Sequence, residues 1–463
     1  MTTEDRLENE LLDVLGCQPS LFKLYTQVAF VYATSDEHVV ERQVATSLRR
    51  GLDNLAAQLP WLCGKVINEN SGRGKTGTYR IVKIPEIPMV VRDLRQTGDV
   101  ASLDQLRDAR YPFSMLDEKL VAPCMTLNFP GQKAGLVADT GPVLALQVNI
   151  ISGGVILTAA AQHNVMDMVG MANVMRWLDT AYKGKSLAEE ELAAAKMDKS
   201  RVLTLHDEYW SPDEEWLNRL LPKTQPESET APDTATTPPK VWWGYVDFSI
   251  ESVSTLKGIA TQTKDADIDY ISSDDAVCAF IWKCLSRART ARTDGKRSTV
   301  FARAVDLRRR MGVPPAYPGT LTNLVYTDSS LDSISAETLG RIAAKLRGQL
   351  NSSKLSNDTR ALATVIDRLP DKGIINITAP VDPSTGIMLS SWASVQLDQL
   401  DFGVGLGLPP AVRRPVFDPV ESLMYILPKS SSGGAVVGLC LREEDWAALE
   451  RDDEWRGYAS YIG

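Results

Sequence analysis

His163 stands four residues before Asp167 in the run Gln162-His163-Asn164-Val165-Met166-Asp167. An imidazole at that distance from a carboxylate can serve as a base with an ion-pair partner, and the run falls where a strand should end and a helix begin, a junction where function concentrates. Spacing alone leaves a second reading equally open, a partly buried histidine with Asp167 capping the next helix. The chain has 3 histidines in 463 residues, so an imidazole-dependent reaction has few candidates. His38 follows Ser35-Asp36-Glu37 and His206 precedes Asp207-Glu208; both read as solvated polar positions. Asp306 with Arg308 reads as a surface pair and Asp401 as a turn residue.

Other chemistries lack their residues. There is no Gly-x-Ser-x-Gly elbow, no Gly-x-x-x-x-Gly-Lys-Ser/Thr phosphate loop and no His-Glu-x-x-His zinc helix. Gly403-Val404-Gly405-Leu406-Gly407 imitates part of a dinucleotide fingerprint, but Pro409-Pro410 follows where a helix should start. Mobile backbone beside a ligand channel or a domain junction is the simpler account of that run. Cys17, Cys63, Cys124, Cys278, Cys284 and Cys440 form no Cys-x-x-Cys pair and read as buried free thiols, with no metal site expected.

Composition narrows the partners. Lys and Arg number 50 against 59 Asp and Glu, a net charge of −9, and no window gathers the basic stripe that a nucleic acid needs. The apolar stretches, such as Val155 to Ala161, are far shorter than the ~20 residues that span a bilayer. The acidic start MTTEDRLENELLDVLG is unlike a secretory signal, so a cytoplasmic protein without a membrane partner is expected.

The elements that must position His163 follow from periodicity. Tyr25 to Tyr32 reads as a strand, rich in aromatic and β-branched residues. Val40, Val44, Leu48, Leu52 and Leu55 recur at helical spacing up to Pro60. Val143 to Ile151 and Gly154 to Ala161 read as strands joined at Gly153-Gly154, with a helix over Met168 to Tyr182. Residues 222–240, PKTQPESETAPDTATTPPK, carry no large apolar side chain and read as a flexible linker between residues 1–221 and 241–463. Beyond it Val246 to Ile250 reads as extended, Val253 to Thr263 as helical, Ser273-Asp274-Asp275 as the cap of a helix through Trp282 and Leu285, and Thr299 to Val305 as a strand. The tally indicates a mixed α/β, α+β-type fold in two domains.

Taken together, these motifs resemble the BAHD acyltransferase superfamily. His163-x-x-x-Asp167 and Asp401-Phe402-Gly403-Val404-Gly405 match its paired signatures; Val305-Asp306-Leu307-Arg308 with Tyr317-Pro318-Gly319 and Asn323 matches its central motif, and Ser390-Ser391-Trp392 its Ser/Thr-x-Trp motif. HNVMDMVG, SSDDAVCAFIWK, DPSTGIMLSSWA, DFGVGLG and VRRPVFDPVESLMY are similar to the fungal trichothecene 3-O-acetyltransferase branch, and the similarity runs from about Leu21 to Tyr461. Met168 and Val404 replace a glycine and a tryptophan usual in the family, and both replacements resemble that branch.

The resemblance implies a chloramphenicol-acetyltransferase-like fold whose two domains are joined by a crossover and enclose a solvent channel, with His163 near its middle. It implies acetyl-CoA or another acyl-CoA as co-substrate, no metal, and a small-molecule acceptor alcohol such as a trichothecene-type sesquiterpenoid, handled by a monomer. His163 would be the general base. Asp167 would turn away and hold the loop through an arginine, and Asp401 would pair with Arg308 to fix the channel wall. Gly403 and Gly405 would belong to that structural motif, and Ser390 and Trp392 would contact acyl-CoA or the tetrahedral intermediate. Transfer from a thioester to a hydroxyl needs a base but neither a metal nor a covalent nucleophile, which suits these residues. Three alternatives share the fold: the same mechanism on another alcohol or an amine, a non-catalytic binding module, and a carrier-protein condensation enzyme. The last usually shows a second histidine where Gln162 stands.

Overall fold

The computed structural model describes residues 10–34, 37–127, 141–221, 238–402, 406–428 and 433–463, with backbone alone for 37–42. The expected linker therefore lies outside the described residues except for 238–240, as do Gly403 and Gly405. Among the described residues the strands form three sheets, of 3, 5 and 7 strands.

Strands β1 (Tyr25–Ala33), β2 (Leu144–Ile151) and β3 (Gly154–Gln162) carry the centre of the five-stranded sheet, bordered by Met89–Asp93 on one edge. β2 and β3 are buried along their whole length, which explains why both read as largely apolar with no alternation of polar residues toward solvent; Gln147, Asn149 and Thr158 are buried within them. Ile151 pairs with Gly154, so the turn is Ser152-Gly153, one residue earlier than expected, with Gly153 at φ +81° where an L side chain would be strained. The stripe Val44, Leu48, Leu52 and Leu55 on helix α1 (Glu37–Gln58) packs in one core with Met171, Val174, Met175 and Leu178 of α2 (Met168–Tyr182). The hydrophobic period predicted α1 because tertiary packing uses the same face.

The seven-stranded sheet is built from the second half of the chain and includes β4 (Ser298–Asp306), β5 (Thr322–Ser330) and β6 (Ile387–Ser391). Its first strand runs Val241–Phe248 rather than Val246 to Ile250. Ser249 caps the helix that follows by accepting from the Ser252 N–H, so Ile250 is already helical. Ser272, not Ser273, caps the helix Ser273–Thr290, in a reciprocal capping box with Asp275.

The two halves exchange elements. Strand β7 (Ala411–Arg413), from the second half, adds to β1 in the first sheet, with Ala411 opposite Val31 and Arg413 opposite Ala29. Leu15, Leu203 and Leu220 of the first half share a core with Leu307, Tyr317, Leu355, Leu362 and Ile366. This crossover joins the halves through backbone hydrogen bonds as well as packing.

Candidate active site

β3 delivers His163. Tyr25 pairs with Gln162 in the last register position of the β1–β3 ladder, and the next N–H, that of His163, donates to the Leu24 carbonyl at 2.7 Å. The chain then turns, with the N–H groups of Val165 and Met166 both donating to the Gln162 carbonyl while their side chains enter the core. Asp167 caps α2 by accepting from the Gly170 N–H at 2.9 Å. Gly170 is required there, since a Cβ would lie 1.8 Å from the Pro318 carbonyl oxygen.

Asp167 is the anchor of this loop. Arg308 grips it with Nη1 at 3.1 Å and Nη2 at 2.9 Å, and the Leu321 N–H and Thr322 Oγ1 donate at 2.8 and 2.9 Å. Burial by itself would raise the carboxyl pKa, but the Arg308 charge and hydrogen bonds, with the Gly170 and Leu321 N–H groups, hold it below the usual carboxylate value. Both oxygens are taken by these donors, and Nδ1 of His163 is buried without a hydrogen-bond partner. Asp167 therefore acts as a cap and as an arginine partner; the structure gives it no bond to the imidazole.

Two expectations about Arg308 are corrected. It is fully buried, not a surface residue, although it does pair with Asp306 at 2.6 Å. Its remaining donors reach the carbonyls of Tyr317 and Gly319 at 2.8 and 2.7 Å, so the guanidinium is saturated. Asp401 pairs with Lys183 at 2.7 Å, a half-exposed contact, and not with Arg308. The Asp-Phe-Gly signature instead docks through Phe402, fully buried at φ +47° and edge-on to Phe30 and Tyr32 of β1. Sequence reading missed Phe402 because its apolar role looks like any core residue's.

A further layer holds His163 from outside. Thr320 Oγ1 donates to the His163 carbonyl at 2.9 Å, and the Thr320 N–H donates to Asp13 at 2.8 Å. Burial pushes the Asp13 carboxyl up to about 7, against the N–H groups of Gly16 and Thr320. Part of His163 reaches solvent, yet desolvation dominates and lowers its pKa below 6.5. Its own carbonyl and Asp167 oppose that shift; the Arg414 charge adds to it.

Ser390 and Trp392 sit together at the end of β6. Trp392 is buried, and its Nε1 donates to Ser390 Oγ at 3.0 Å, while Ser391 Oγ donates to Asp274 in the first turn of its helix at 2.8 Å. The Arg414 guanidinium lies over the rings of Trp392, Phe417 and Tyr425, at 5.8, 4.3 and 4.9 Å. Arg414 was missed as a site residue: in the sequence it is one of two adjacent arginines, and nothing there shows which one is buried. Of the remaining histidines, His206 stacks on Trp210 at 4.3 Å rather than standing free in solvent, and the His38 side chain lies outside the described residues. Among the described residues no group of three or more His, Cys, Asp or Glu side chains is placed to hold a metal ion, and no helix is long and apolar enough to cross a membrane.

An exchanged strand between two sheets, with a histidine loop clamped from both halves, is the architecture of a BAHD-type acyltransferase. The chain belongs to this Transferase family, whose model matches residues 124–455, while a model described as a trichothecene 3-O-acetyltransferase-like N-terminal domain matches residues 24–182. It is similar to a trichothecene 3-O-acetyltransferase of Saccharomyces cerevisiae, 44% identical with 99% of this chain and 96% of that protein covered. A second, of Fusarium sporotrichioides, is 43% identical over 98% and 97%. The crystal structure of F. graminearum TRI101 complexed with coenzyme A and T-2 mycotoxin superposes with a TM-score of 0.92 at 40% identity, covering 98% of this chain and 100% of that one. At 16% identity and a TM-score of 0.63, vinorine synthase shares the fold. The protein is thus an acyl-CoA-dependent O-acetyltransferase with a small-molecule acceptor.

Proposed function

We propose that His163 is the general base in transfer of acetyl from acetyl-CoA to a hydroxyl of a trichothecene-type sesquiterpenoid. The acceptor is inferred from the relatives, two of which are named for 3-O-acetylation of trichothecenes, and from the coenzyme A and T-2 or deoxynivalenol complexes of the similar structures. The observation that carries the base assignment is the clamp on the His163 backbone, through Leu24 and Thr320, around an imidazole bonded to no carboxylate. With its pKa below 6.5, the ring is neutral at physiological pH and free to accept a proton.

In this reading Nε2 takes the hydroxyl proton as the acceptor oxygen bonds to the thioester carbonyl carbon. The tetrahedral intermediate collapses, the C–S bond breaks with its electron pair on sulfur, and the imidazolium returns the proton to the CoA thiolate. Ser390 and Trp392 line the acyl-CoA side, and Asp167 with Arg308 keeps the loop in place. Gly403 and Gly405 belong to the segment that follows the Phe402 anchor. Residues 1–221 and 241–463 act as two domains exchanging β7, in a cytoplasmic monomer that takes two small molecules and neither a nucleic acid nor a membrane.

Incubation with acetyl-CoA and a panel of terpenoid alcohols and amines, read by mass, tests the acceptor. O-acetylated trichothecene is the expected product, and acetylation confined to nitrogen rejects it. H163A should lose at least ~10²-fold in turnover while keeping its melting temperature and acetyl-CoA binding. Unchanged turnover would end the base assignment.

A further inference from the structure

β7 carries Arg414 to an unusual place. Arg413 pairs with Ala29 of β1, and the strand points toward the Tyr25 end, where Tyr25 faces Gln162 and His163 comes next. Arg414 is only 2% exposed. Among the described residues no carboxylate lies within ion-pair distance of its guanidinium, its Nε is buried without a partner, and Nη2 makes a long 3.3 Å bond to Thr126 Oγ1. Its neighbours are the aromatic faces of Trp392, Phe417 and Tyr425, with the Tyr245 hydroxyl bonded to its backbone at both ends. Glu118 supplies a counter-charge one residue removed: it accepts from the Thr126 N–H at 2.7 Å and feels the Arg414 charge.

A buried cation loses its hydration, and aromatic faces return only part of that loss. Arg308 and Arg289 are buried as well and Arg303 is mostly covered, but each is paired directly with a carboxylate. Arg414 alone among these four has no directly paired carboxylate, and its bond to Thr126 ties it to the His163 loop: the Thr126 carbonyl accepts from the Tyr25 N–H, next to Leu24, whose carbonyl holds the His163 N–H.

We propose that Arg414 is an electrostatic positioning residue for acyl transfer: a buried cation bonded to no carboxylate at the His163 end of the first sheet, it disfavours a second positive charge on the imidazole and favours the negative charge that develops on the attacked carbonyl oxygen. Through the face of Trp392 it also holds the indole that bonds Ser390. The inference rests on His163 as the base. The groups acting on that imidazole are Asp167, which favours protonation, and Arg414, which opposes it; Glu118, Tyr245 and Tyr425 face Arg414 itself.

The test is the pH profile of kcat/KM for acetyl-CoA in R414Q and R414K beside the wild type. R414Q should lose about tenfold or more in kcat, change KM by less than about threefold, and move the acid limb upward by roughly half a unit or more. R414K keeps the charge and should hold the limb near its wild-type position. An unshifted limb in R414Q, or equal shifts in both variants, overturns the assignment. The wild type gives a check that needs no substitution, because a buried charge is screened little by salt. Its acid limb should stay in place between low salt and about 0.5 M NaCl; a limb that climbs toward the ordinary histidine value puts the source on the surface and overturns the proposal. H163A separates the two claims. Turnover retained in H163A ends the base reading, whereas an inactive H163A beside an unshifted R414Q limb ends only the role of Arg414.

Discussion

Replacing Asp167 by Asn tests whether the loop aspartate is structural. Its carboxylate and the Arg308 guanidinium are 3% and 1% exposed, so the substitution leaves a buried cation short of its partner, a loss of about 3–5 kcal/mol in such pairs. Asp306 stays on Arg308 at 2.6 Å and is 40% exposed, which softens the loss, so the lower end, about 3 kcal/mol, is expected. Unfolding entropy near 2.1 cal/mol/K per residue gives this chain about 1 kcal/mol/K, hence a fall of about 3 °C in melting temperature, or about 6 °C if the halves melt separately. Turnover should drop by up to about 10² because the base is displaced. The surviving activity should have its acid limb at lower pH, since Asp167 favours protonation of His163. In D167N/R308Q the two losses should be far from additive, as expected for groups in contact. Thermal melts and a pH–rate profile decide the matter. An unchanged melting temperature with abolished transfer would mean that Asp167 takes part in the chemistry directly, and the reasoning above would be wrong.

Two other substitutions probe how the motifs are anchored. G170A should destabilise by at least about 2 kcal/mol, because its Cβ meets the Pro318 carbonyl oxygen at 1.8 Å; a normal melt would show that the segment from Pro318 to Leu321 yields freely. F402A should cost about 3–5 kcal/mol as a buried aromatic truncation, whereas D401A, whose pair with Lys183 is 33% and 41% exposed, should cost under about 1 kcal/mol. Chemical denaturation of both variants checks the ranking, and a larger loss in D401A would restore Asp401 as the anchor.

Much of the fold was legible because its elements use their apolar residues as their period suggests. The stripe on α1 and the buried runs of β2 and β3 are local patterns that packing simply completes. The misplaced boundaries, at Ser152-Gly153, Ser249 and Ser272, fall where one hydrogen bond from a capping side chain or one register position decides the residue. The family motifs led to His163 and Asp167 and to Ser390 and Trp392 as candidate site residues, and the match across the whole chain indicated the family.

What the sequence by itself determined is therefore the set of candidate reactive residues and the class of chemistry: one histidine in a family motif, no competing nucleophile motif, and helices and strands at readable periods. Tertiary structure alone decided who partners whom. Arg308 binds Asp167 and not Asp401, Phe402 carries the C-terminal signature, and Arg414 is the buried cation while its neighbour Arg413 hydrogen-bonds the carbonyls of Tyr111 and Arg110. The physical reason is that charge pairing and desolvation depend on distances between residues more than a hundred positions apart, and these are set only when β7 crosses to the first sheet and the Pro318 segment closes over Gly170.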